Sequence, residues 1–96
     1  MNYLEALAAE IRAEVPHEAL PPDDTTSLFV AYAVLLLAKG GATTPEDVHN
    51  AWVAWMLDRE EVHESMVPFS NLPADTQEED SPFTEAIHQV ARRSEA

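Results

Sequence analysis

Apolar residues recur along this chain at the three- and four-residue spacings of a helix in three stretches, and run without interruption in a fourth. Leu4, Leu7, Ala8, Ile11 and Val15 line one face, with Glu5, Glu10, Arg12 and Glu14 elsewhere. That pattern predicts an amphipathic helix over about 2–15, stopped by Pro16, which lacks an amide and disfavours helical dihedrals in the residue before it. Asp23, Asp24, Thr25 and Thr26 are four candidate caps for a second helix over about 25–39. From Leu28 to Ala38 it is apolar at every position, which predicts a helix surrounded by others, and Lys39-Gly40-Gly41 closes it. Thr43-Thr44-Pro45-Glu46-Asp47 is a strong start signal: a threonine cap, proline at the first helical position and an acid three residues after Thr44. The helix it opens, over 45–58, carries Val48, Ala51, Trp52, Trp55 and Met56 on one face. Ser81-Pro82 with Glu85 repeats the arrangement and opens a last helix over about 82–93, with Phe83, Ala86, Ile87, Val90 and Ala91 inward and Arg92 and Arg93 in its last turn. Between these two lies a polar, proline-containing connection over 60–80, with a short helix expected in 74–80 after Pro73. A buried strand over 28–37 has no partner segment with period-two alternation. The fold class expected is all-α, a compact bundle of about four helices forming a single domain over 1–96.

At 96 residues and 46% hydrophobic, the chain supports one core, burying roughly 64% of its unfolded surface. Charge changes the picture: five Lys and Arg stand against eighteen Asp and Glu, a net −13. Direct phosphate contacts to nucleic acid and docking on an anionic membrane are therefore not expected. The absence of cysteine excludes disulfides and thiolate chemistry. No secretory signal pattern occupies Met1 to Val15, and the run Leu28–Ala38 is too short to span a membrane, so a cytoplasmic protein is expected.

Little in the chain favours catalysis. His17, His49, His63 and His88 include no i, i+4 pair suited to a metal, and no metal site or cofactor is expected. Ser27, Ser65, Ser70, Ser81 and Ser94 lie in no glycine-flanked elbow, and the adjacent Gly40 and Gly41 make no phosphate loop, so the chain is read as non-enzymatic. The acids are more informative. Asp58, Glu60, Glu61 and Glu64 crowd the carboxyl end of the third helix, where the macrodipole is already negative, and Asp75, Glu78, Glu79 and Asp80 follow. Such a conflict between sequence and local field points to a basic protein partner docking on these carboxylates, the chain serving as adaptor, inhibitor or regulator. A merely solvated face, a salt adaptation or a mimic of nucleic acid are the competing readings. Trp52 and Trp55 read first as core and second as the wall of a ligand site. Homodimerisation would give the apolar second helix further cover.

Pro45-Glu46-Asp47-Val48-His49-Asn50-Ala51-Trp52, then His63, Met66-Val67-Pro68-Phe69, Leu72-Pro73 and Asp80 resemble the repeat domain of ryanodine receptors, which also occurs alone in bacteria and phages. The chain as a whole is similar to small acidic proteins of actinobacteria and their phages. The resemblance implies a helical module sensing a nucleotide-derived or other small ligand without catalysis, with Trp52, Trp55, His63, Val67, Pro68 and Phe69 forming the pocket. A phage-encoded copy would act in the host cytoplasm.

Overall fold

The computed structural model describes residues 2–95, with side chains through Arg93, so the ends of the expected 1–96 unit and the Ser94 hydroxyl lie outside the described residues. The chain is all-helical: α1 (Tyr3–Glu14), α2 (Thr26–Lys39), α3 (Pro45–Asp58), the short α4 (Ala74–Glu78) and α5 (Ser81–Glu95). Single 3-10 turns occupy His17–Ala19, Gly40–Ala42 and Phe69–Asn71, and no strand occurs among the described residues. None of the described helices is long and apolar enough to cross a membrane.

Side chains take up free amides at the starts of α1, α2 and α3. Asn2 caps α1 in a reciprocal box: its side chain accepts from the Glu5 amide at 2.9 Å, and the Glu5 carboxylate accepts from the Asn2 amide at 3.1 Å. Thr44 and Asp47 form the predicted box on α3. Asp47 also takes both bonds from the Lys39 ammonium, at 2.9 and 3.1 Å, which hold its carboxyl below the ordinary carboxylate range and tie the end of α2 to the start of α3. At α2 one of the four candidate caps is used. Thr25 is the boundary residue without a side-chain cap bond, and Asp24 instead accepts from the Thr26 amide and hydroxyl. α5 starts one residue early, its first turn closing on the Asp80 carbonyl, which accepts from the Thr84 amide and hydroxyl at 3.0 and 2.9 Å. Asp80 thus stands where Ser81 was expected.

α2 runs against α1, α3 and α5. Its inner residues Phe29, Tyr32 and Ala33 meet Ile11 of α1, Val48 of α3 and Ile87 and Val90 of α5 in one core. Phe29, Tyr32 and Phe83 form an aromatic cluster with centroids 5.3 to 6.1 Å apart. The expectation that α2 is covered on every side does not hold. Val34 and Leu37 are 51% and 56% exposed, because neighbours pack on its inner faces and leave the outer one open. Gly40 has φ +52°, a conformation costly to residues with a Cβ, and turns the chain out of α2 into the 3-10 turn. His88 of α5 then donates from Nε2 to the Thr43 carbonyl at 2.7 Å, locking that turn to the bundle. The molecule measures 38 × 26 × 26 Å, with a radius of gyration of 12.8 Å.

Candidate functional site

A groove of about 630 Å³ opens beside the core, between α2, α3 and the connection leading to α5. α3 supplies one wall. The helical spacing of His49, Trp52 and Met56 puts them on the groove side, and Trp55 completes the surface. Trp55 is fixed by a 2.8 Å bond from its indole N–H to the Ser27 hydroxyl on α2. Leu28 and Tyr32 of α2, Leu72 of the connection and Phe83 of α5 line it further.

The opposite wall is built from the 60–80 connection, which reverses direction through a sharp helix end. After Arg59, Glu60 takes φ +58°; its amide donates to the Leu57 carbonyl, and the Glu61 amide donates to the Met56 carbonyl at 3.0 Å. This is a Schellman turn with glutamate where glycine is usual. It returns Glu61, His63 and Ser65 along the groove. His63 sits edge-on to Trp52 at 5.6 Å, and its Nδ1 accepts from the Ser65 amide. Further on, the Gln77 side-chain amide donates from Nε2 to the carbonyls of Phe69 and Leu72, pinning α4 to the turn before it.

The polar lining is acidic and contains no lysine or arginine: Asp23, Glu61, Glu79 and Asp80. Asp80 is half-buried, and burial pushes its carboxyl up to about 6, the nearby His49 opposing and Glu79 reinforcing the shift. Tyr32 is 2% exposed, and burial, with the field of Asp80 added, pushes its phenol well above the ordinary value. His49, 3% exposed, donates from Nε2 to the Val67 carbonyl at 2.7 Å, so its other ring nitrogen, Nδ1, is not committed to that bond. Outside, Arg59 lies over the Trp55 ring at 4.4 Å and pairs with Glu61 at 2.9 Å. Among the described residues no hydroxyl lining the groove bonds a histidine or carboxylate side chain, and no cluster of three metal-ligating side chains occurs.

The structure thus gathers Trp52, Trp55 and His63 of the expected ligand set. The tryptophans pack on the core with one side and line the groove with the other, so both readings of them describe part of their surface. Val67, Pro68 and Phe69 lie outside the lining, behind His49: Val67 holds it through its carbonyl, and the Phe69 ring lies tilted against it with centroids 6.0 Å apart. The Val67 residue is 38% exposed, and its contact with His49 is made by the backbone. Of the expected partner-binding acids, Glu61, Glu79 and Asp80 line the groove, whereas Asp58, Glu60, Glu64, Asp75 and Glu78 are exposed away from it. His49 and Tyr32 were not expected here. The signal for His49 was its place three residues before Trp52, on the same helical face; Tyr32 sat unmarked inside an apolar run.

In comparisons with known proteins, residues 2–92 match the family model described as a domain of unknown function (DUF7701). No curated protein and no solved structure matches the chain.

Proposed function

The chain belongs to that family, and from the make-up of its groove we propose that it is a non-catalytic binding module that docks a basic segment of a protein partner. The observation that carries this reading is the coincidence, in one cavity, of a two-tryptophan wall with a polar lining whose charged groups are all acidic. Tryptophan faces attract cations, and Arg59 already rests on the outer ring in that manner. The net charge of −13 steers a basic partner toward the molecule, and the exposed Asp58, Glu60, Glu64, Asp75 and Glu78 add to that field.

The test reads the emission of Trp52 and Trp55, which are the only tryptophans of the chain and both line the groove. Pentalysine should shift that emission at about 0.1 M salt and bind at least roughly tenfold more weakly at about 0.5 M, where screening is stronger. An equal response to pentaglutamate, or none to either peptide, would contradict the proposal. A second reading, a module sensing a small molecule, is favoured by the cavity volume, which lies in the range of ligand pockets. Its ligand would not be phosphate-rich, since no cation lines the cavity.

A further inference from the structure

We infer that one region of the groove, formed by Asp80, Tyr32 and His49, recognises a single primary ammonium group, the head of a lysine side chain on the docked segment. This rests on the groove being the docking site for a basic partner. Tyr32 and His49 are buried side chains that line the cavity, yet the Tyr32 hydroxyl and His49 Nδ1 have no partner among the described residues. Among those residues no sealed-off polar side-chain atom is left unpaired, so these two unpaired atoms reach the cavity surface. Asp80 lies close enough to act electrostatically on the Tyr32 phenol and to be acted on by His49, and its carboxylate has no bonding partner among the described residues.

The donor count selects the ligand. An ammonium offers three N–H donors and accepts nothing, and this region offers three acceptors: the Asp80 carboxylate, a Tyr32 oxygen lone pair and His49 Nδ1. In the neutral His49 ring the 2.7 Å bond to the Val67 carbonyl puts the proton on Nε2 and leaves Nδ1 as the lone-pair nitrogen, the opposing effect on Asp80 belonging to the protonated ring. A four-carbon stem would lie along Trp52, Met56 and Phe83, matching the apolar body of lysine. Guanidinium fits less well, because its rigid planar fork seeks paired oxygens in one plane, whereas these acceptors come from a carboxylate, a phenol and a ring. A carboxylate or phosphate head would face Asp80, Glu79 and Glu61. Charge complementarity and donor count therefore agree on the occupant.

The experiment compares capped pentapeptides Gly-Leu-Xaa-Leu-Gly, with Xaa lysine, arginine, Nε-acetyl-lysine or norleucine, by tryptophan emission, with n-butylamine as the free amine. The lysine peptide is expected to bind at least about tenfold tighter than the other three and than n-butylamine. Asp80→Asn and Tyr32→Phe, both isosteric enough to keep the packing and checked for helicity by circular dichroism, should each weaken the lysine peptide about tenfold and leave the norleucine peptide unchanged. Arginine or acetyl-lysine binding as well as lysine, or both variants retaining full affinity, would overturn the inference while leaving the docking proposal standing, provided the basic peptides still outbind norleucine. Binding of n-butylamine as tight as the lysine peptide would overturn lysine as the source. If no basic peptide outbinds norleucine, the docking proposal falls together with the inference.

Discussion

Asp80 carries its carboxylate half-buried and without a bonding partner among the described residues, and the consequence is a stability that depends on pH. Its carboxyl titrates near 6 in the folded chain against 3.8 when unfolded. Both states are protonated well below 3.8; as pH rises through that value the unfolded chain ionises first, so stability is lost between about 4 and 6 and the full cost persists above. The groups that bear on it are His49 from α3, which opposes the shift, its neighbour Glu79, and Tyr32 from α2. Asp80→Asn is therefore expected to stabilise the protein by about 1–2 kcal/mol near pH 7.5, allowing for partial exposure, and by almost nothing near pH 4. Urea unfolding at the two pH values checks this; an equal effect at both would show that burial is not what holds the carboxyl up. Residue identities made part of the site legible beforehand. Trp52 and Trp55 were candidates from their type and spacing and His63 through the family resemblance, whereas Asp80 was grouped with the partner-binding acids, since nothing local to it reveals that it lies half-buried near Tyr32.

Helix ends carry most of what was legible at the scale of elements. The Thr44–Asp47 box, Pro45 and the Lys39-Gly40 stop are local chemistry, and they place α2 and α3 as the periodicity predicts. The end of α3 was only half legible. The acids beyond Asp58 marked an anomaly, but not that Glu60 would adopt the left-handed conformation and turn the chain back along the groove. That conformation is strained for a residue with a Cβ, and the carboxylate sits at the negative end of the helix dipole. Glu60→Gly is expected to raise stability by about 1 kcal/mol, measured by urea denaturation at neutral pH. A loss of similar size would mean that the Glu60 side chain makes a favourable interaction that outweighs the strain. The 60–80 connection was least legible, because its course depends on bonds such as Gln77 to Phe69 and Leu72 and His49 to Val67, between residues that carry no shared pattern.

For the molecule as a whole, charge opposes compactness. Three exposed or half-buried ion pairs join described residues, Lys39–Asp47, Arg59–Glu61 and Arg93–Glu14, and such pairs contribute little each. Repulsion within a net −13 outweighs them, so salt should stabilise. Raising it from about 0.05 to 0.5 M is expected to lift the melting temperature by several degrees, at roughly 4–8 °C per kcal/mol of repulsion screened in a domain of this size. A falling melting temperature would place more weight on the ion pairs than their exposure supports. The all-helical architecture was readable from periodicity and caps, but the groove was not. Its walls draw on residues from Ala19 to Phe83, and only packing brings them together. On the proposed function this groove, rather than the acidic surface at large, receives the basic partner. Two-dimensional ¹H–¹⁵N spectra during titration with the lysine pentapeptide test it most directly. Shifts confined to the Trp52 and Trp55 indoles and to the amides around His49, His63 and Asp80 are the predicted result; shifts spread over Asp58, Glu64, Asp75 and Glu78 with both indoles unmoved would contradict it.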